Sequence, residues 1–288
     1  MIKSSTPKYT FGRHSSFQLR YGWLTKGFLA LKEDENIFTS DNATATLGVG
    51  KNMVGSIAYW LKAARIVDEK NKITSFGESL LGKYDTYLED DASLWLLHLT
   101  FAQNKTIASS IYWLFNHFHK SSFTSDEAFN ALKDFLSNNK TKISSNTLKM
   151  DISVILRMYA PHKSNKNQIE DMLESPLSLL NLITYHNGKY HFNQSKNEQI
   201  PTEIIGFAIS EYMADNEIIV LKDLMYGDQL SLGKIFKISE DNLVFYLEKL
   251  VDKYPQTYQL REDAGIFQLH ILKQIDSLKF LEKYYEQS

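Results

Sequence analysis

Apolar residues along this chain recur mainly at spacings of three and four. Met53, Ile57, Trp60, Leu61 and Ala64 form one series, and Leu148, Ile152, Ile155, Leu156 and Tyr159 a second. Leu243, Leu247, Leu250 and Val251 form a third. That period puts each set on one face of an amphipathic helix. Period-two runs are short and stand beside turn residues: "KIT" after "DEKN", "YHF" after "YHNGK", and "YQLREDAGIFQLHI". The pattern predicts a mainly α protein with small β hairpins.

The three long helices share a setting, in which a short helix, a turn, the longer helix and then a hairpin follow one another. In the first, Asp41 caps a short helix, Gly48 to Lys51 turns the chain, Lys51 to Val67 is the longer helix, and "DEKNKIT" forms a wing. Ser75 with Glu78 three residues on reads as a capping box opening another helix. In the second, the longer helix starts after Ser144-Ser145, and Asn187-Gly188 turns the hairpin. In the third, Ser239 caps the helix and "REDAG" turns the hairpin. Helix-turn-helix followed by a hairpin is the plan of multiple winged-helix-like units. The expected segments are 1–100 (an N-terminal arm with the first unit), 101–200 (the second) and 201–288 (the third). "NQSKNEQIP" is the best boundary, and "PHKSNKNQ" reads as a basic loop. "LEDDASLWLLHLTFA" and "ASSIYWLFNHFHK" read as buried helices joining the first unit to the second.

The turn "GVGK" admits two readings. A phosphate-binding P-loop needs a preceding strand, a wider loop between its glycines, and Ser or Thr after the lysine. Here "DNATAT" precedes as a helix, the glycines stand two apart, and Asn52 follows Lys51. The dinucleotide fingerprint also fails, lacking a strand and a third glycine. The remaining reading is a helix-to-helix turn in which Gly48 and Gly50 supply positive φ. That turn presents Lys51, Asn52, Ser56 and Tyr59 on the face opposite Ile57, Leu61 and Ala64. Asn suits adenine and Lys suits phosphate or guanine at the start of a recognition helix.

Composition narrows the class. The chain has 288 residues, 43% hydrophobic and 23% charged, as in an ordinary globular protein. Cysteine is absent, which excludes disulfides and zinc-thiolate sites and fits a cytoplasmic location. No run is long and apolar enough for a membrane span, and "MIKSSTPKYTFGRHSS" lacks the apolar core of a signal peptide.

The net charge of -2 conceals an asymmetry. Residues 11–83 carry an excess of roughly three positive charges and 102–170 roughly four, whereas 201–288 carry an excess of roughly six negative charges. A polyanion is drawn to the first two regions and repelled by the third. In the second region Asn146, Lys149, Ser153 and Arg157 line one polar helix face, with Lys142 just before it. This is the pattern of phosphate contact. Lys72, in the first wing, joins the set. At the N-terminus Arg13, Arg20 and Lys26 interleave with Phe17, Tyr21 and Trp23, a mixture that suits nucleic acid or a packed arm. The third long helix opens with Glu240-Asp241, which favours its own dipole but repels phosphate. That unit is expected to form a dimer contact or to dock a basic protein.

"FGRHSSFQLRYGWLTKG", "LGVGKNMVGSIAYWLKA", "YLEDDASLWLLHL" and "ESPLSLLNLI" together resemble a bacterial family of unknown function, number four thousand and seven. The resemblance runs over nearly the whole chain. Members of that family are encoded beside sulfur-transfer enzymes resembling phosphoadenosine-phosphosulfate reductase. Those neighbours belong to DNA phosphorothioation and related phage-defence systems, so the resemblance implies a role near DNA or its modifying machinery. It supplies no catalytic mechanism. In the family's first motif a His is usually followed by Glu-Thr-Phe, whereas here His14 is followed by Ser15-Ser16-Phe17.

Catalytic patterns are otherwise weak. His117 and His119 face differently on a helix, Glu89, Asp90 and Asp91 are consecutive, and no Gly-x-Ser-x-Gly elbow occurs. The expected function is non-enzymatic, with no cofactor and no metal: binding duplex DNA for a modification or defence complex. The alternative is a protein-only adaptor that scaffolds the sulfur-transfer enzyme. A hydrolase using His14 requires an acidic partner from distant sequence.

Overall fold

A computed structural model describes residues 9–160, 175–195, 199–212, 216–228 and 231–287. The predicted basic loop at Pro161 to Gln168 lies outside these residues. The chain is mainly helical, with two small antiparallel sheets of three strands each. It divides into two units. One comprises 1–89 with 100–192, and the other 90–99 with 193–288. The expected segments 1–100 and 101–200 both fall largely in the first unit, and 201–288 falls in the second.

The first unit begins with α1 (Trp23–Glu33), α2 (Ala43–Leu47) and α3 (Lys51–Ala63). Val54, Ile57, Trp60 and Leu61 turn inward from α3. Gly27 of α1 lies so near α3 that a Cβ there would stand 2.7 Å from Ile57 and Leu61. Gly48 ends α2 in the left-handed region at φ 60°. Gly50 does not share that role. It is extended at φ -65° and serves as the N-cap of α3, so one positive-φ glycine suffices for the turn. The preceding segment is a helix, which leaves no strand for a P-loop. Asp41 does not cap α2. Asn42 stands at that position and makes no side-chain capping bond. The wing is a single bridge, Val67 to Ile73. Thr74, not Ser75, caps α4 (Ser75–Gly77), accepting from the Gly77 amide, while Glu78 pairs with Lys32 at 2.7 Å.

The same unit continues through the last turn of α5 (Asp91–Gln103) to α6 (Ser109–Asn116), β1 (Ser122–Phe123), α7 (Ser125–Asn138), α8 (Ser145–Tyr159), β2 (Ile183–His186) and β3 (Lys189–Phe192). Thr124 and Glu127 make a reciprocal capping box on α7. Ser144 caps α8 by accepting from the Thr147 amide. Asn187 and Gly188, both at positive φ, turn the β2–β3 hairpin. The strand order is β1-β3-β2. The core is dense in aromatics, with Trp60, Trp113, Phe101, Phe115, Phe123 and Tyr159 each under 2 % exposed.

The second unit takes the first part of α5, then α9 (Thr202–Tyr212), β4 (Ile218–Val220), α10 (Leu221–Tyr226), α11 (Leu232–Phe236), α12 (Glu240–Lys253), β5 (Tyr258–Asp263), β6 (Ile266–Ile271) and α13 (Leu278–Tyr285). Ser239 caps α12 through the Asn242 amide, and Ala264-Gly265 turns β5 into β6. Its strand order is β4-β6-β5. From α6 the first unit, and from α9 the second, therefore run helix, strand, helices, hairpin, with the early strand paired to the last. Among the described residues no helix is long and apolar enough to cross a membrane.

Candidate nucleic-acid interface

The segment Gly12 to Phe17 fills a groove between α3 and α8. Gly12 uses φ +73° and sits so close to α8 that a Cβ would lie 2.8 Å from the Thr147 methyl. Its amide donates to Asp151 Oδ1 at 2.8 Å. The His14 Nε2 meets the same oxygen at 3.1 Å, and both side chains are 1–2 % exposed. Opposite Asp151, the His14 ring stacks on Trp60 at 5.9 Å and meets the edge of Tyr59. Ser56 donates to the His14 carbonyl at 2.9 Å, and the Trp60 indole donates to the Phe17 carbonyl at 3.2 Å. Further along, Arg157 of α8 donates to the Ser16 carbonyl at 3.1 Å. Ser15 and Ser16 hold positive φ, at 48° and 68°, to let the chain pass between the two helices.

Asp151 is the acidic partner that sequence alone did not supply. It stands 137 residues from His14, one turn from the apolar series of α8. A carboxylate beside Leu148, Ile152 and Ile155 on a helix facing the core was the available signal. The His14 Nε2 is within hydrogen-bonding distance of Asp151, and among the described residues its buried Nδ1 has no partner. Burial and the nearby Asp151 charge hold the Tyr59 phenol well above its ordinary range, so it stays protonated.

This clamp corrects part of the expected DNA-reading face. Ser56 is fully buried, its hydroxyl spent on the His14 and Asn52 carbonyls, and it faces no solvent. Tyr59 is half-buried and donates to the Ile107 carbonyl at 3.1 Å. The reason is shared: the N-terminal segment covers the flank of α3 that periodicity alone left open.

Other positions are exposed. Lys51 and Asn52 occupy the first turn of α3. Asn146, Lys149, Ser153 and Arg157 are exposed along α8, with Lys142 before it. The Lys149 ammonium rests over the Phe129 ring at 5.2 Å. Arg13 is exposed on the clamp segment, and Lys26 on α1. Arg20 is half-buried over the Trp23 ring at 5.6 Å. Lys72 is exposed in the first wing, its amide bonded to Asp68. The clamp thus ties Arg157 of the α8 row to the Ser16 carbonyl, a contact that spacing along the chain did not show.

A family model described as "Protein of unknown function (DUF4007)" matches residues 11–285. No curated protein matches the chain. Two solved structures do. The chain is 27% identical to the SspB crystal structure, with TM-score 0.85, covering 96% of this chain and 88% of that one. It is 26% identical to the magnesium ion-bound SspB crystal structure, with TM-score 0.84 and the same coverage.

Proposed function

The chain belongs to the DUF4007 family, and we propose that it is a non-enzymatic DNA-binding component of a DNA-modification or phage-defence assembly. The observation that carries this reading is the exposed row Asn146, Lys149, Ser153 and Arg157 on α8, preceded by Lys142. Such a row neutralises phosphates along a duplex backbone. The order of helix, strand, helices and hairpin supports assigning each unit as a winged helix, in which α8 holds the recognition position. The basic balance of the first unit draws a polyanion to it, and the acidic balance of the second suits a protein contact or a second copy of this chain. A phosphorothioation setting rests on the operon association that the sequence resemblance implies.

An adaptor for a sulfur-transfer enzyme is the second reading, favoured by the acidic first turn of α12. The hydrolase reading gains its acid in Asp151, but both members of that pair are sealed from solvent. One similar structure holds a magnesium ion. Among the described residues of this chain no three His, Cys, Asp or Glu side chains are grouped as a metal site.

The test is anisotropy titration of the full chain with labelled duplex at about 50 and about 200 mM salt. Several phosphate contacts predict a loss of affinity of about 100-fold or more between them. Absent or salt-insensitive binding, with tight association to the sulfur-transfer enzyme, would establish the adaptor instead.

A further inference from the structure

Beside the clamp, on the flank of α3, lies a cleft of about 540 Å³. Its floor is Gly55 and Ala58, one turn before Tyr59 and Lys62. A Cβ built on Gly55 would meet nothing within 4 Å, so the helix backbone there is open to a ligand. One wall is the Tyr59 ring, which cannot swing away: its hydroxyl is tied to the Ile107 carbonyl and its ring is braced by His14 and Trp60. Arg13, Lys62 and Glu69 also line the cleft. Among the described residues none of these three side chains has a hydrogen-bond or ion-pair partner. A fixed aromatic wall, two uncommitted cations, one uncommitted carboxylate and the volume of a small-ligand site occur together.

We propose that this cleft receives a single nucleotide displaced from a DNA strand, its base carrying an exocyclic amine. The proposal deepens the DNA-binding reading and rests on it. The base stacks on Tyr59, a contact open to any base. Its amine donates to Glu69, as cytosine N4 donates to a carboxylate in groove recognition. The phosphate meets Arg13 and Lys62. Glu69 disfavours a bare inorganic anion in the same space, so the carboxylate selects an amine-bearing ligand over free phosphate. Thymine has no exocyclic amine and offers Glu69 only its ring N3–H, flanked by two carbonyls that the carboxylate repels, which sets it apart from the other three bases.

Extrusion is cheapest where the base is already unpaired. The experiment therefore compares the full chain on a fully paired duplex and on the same duplex carrying one C·A mismatch or one T·T mismatch. The expected result is at least tenfold tighter binding to the C·A duplex than to the paired one, and a smaller gain for T·T. Gly55→Leu fills the cleft while raising helix propensity. It brings C·A binding to within twofold of paired binding and leaves paired binding unchanged. Glu69→Gln equalises C·A and T·T. Equal binding to all three duplexes by the wild-type chain overturns the cleft while leaving the DNA reading intact. So does a mismatch preference that survives Gly55→Leu. No binding to any duplex overturns both.

Discussion

The later part of the first unit, from α6 to β3, and the second unit from α9 run the same order of elements, yet the exposed faces of α8 and α12 differ in sign. Both helices are capped by serine, Ser144 on α8 and Ser239 on α12. Both bury a stripe at helical spacing, and both precede a hairpin with a two-residue turn. On α8 the outward row is Asn146, Lys149, Ser153 and Arg157, whereas α12 opens with Glu240 and Asp241. The layout follows from what the helices bury, and the choice of partner from what they leave exposed. A fold element of this kind says where a contact can form, and its surface charge says with what.

The buried polar groups differ as well. The first unit seals a His–Asp pair, and the second a histidine held by a backbone carbonyl. His98 is fully buried on α5, with its Nε2 donating to the Ile235 carbonyl at 2.8 Å. Burial, with the Lys237 charge adding to it, pushes His98 down to about 3. One site holds a carboxylate that must keep its donors. The other holds an imidazole that must stay neutral.

The largest expected effect comes from breaking the first of these. Asp151→Ala strips the acceptor from the buried His14 ring and the half-buried Gly12 amide. Each orphaned group costs about 1–3 kcal/mol, and together they should destabilise the chain by about 2–5 kcal/mol. Thermal unfolding of the variant reads this directly. A melting temperature unchanged within error would show that the clamp carries no stability.

Acid should strike the second unit next. Between pH 6.5 and about 3 the unfolded chain binds a proton at His98 that the folded chain refuses. Stability is therefore full above pH 6.5 and drains as pH falls through that window, by roughly 2–4 kcal/mol. Denaturant midpoints measured across the window should flatten in His98→Gln. Parallel slopes for variant and wild type would remove His98 as the cause.

Charge reversal sharpens the comparison with the smallest change in free energy. Lys51→Glu with Lys149→Glu should weaken duplex binding at least about tenfold, or about 1.4 kcal/mol. Glu240→Lys with Asp241→Lys should alter it less than about twofold when the first unit alone meets the phosphates. Equal effects from the two pairs would mean that both units meet the nucleic acid.

Much of the framework was legible along the chain. The three apolar series, the caps at Ser144 and Ser239, and the turns at Asn187-Gly188 and Ala264-Gly265 all lie in local sequence. Each acts over a few residues, so each can be read from a few residues. The errors were local competitions decided by neighbours. Thr74 took the cap assigned to Ser75, and Gly48 alone carried the turn assigned to both glycines. The site was less legible. The exposed row on α8 follows from periodicity, but the cleft does not, because its lining comes from separate stretches of the chain: the clamp segment, α3, the first wing and the loop before α6.

By itself, then, the sequence determined the long helices, the cap at Ser239, the hairpin turns and the opposed charge of the two ends of the chain. Helical period and charge are properties of consecutive residues, and nothing distant can alter them. Only the tertiary structure decided that Ser56 is spent on a carbonyl, that Tyr59 is a wall, and that His14 finds Asp151. Those roles depend on a segment from the N-terminus lying in a groove between two helices. Burial of that segment against α3 and α8 is a sum over contacts distant in sequence, and no local pattern encodes it.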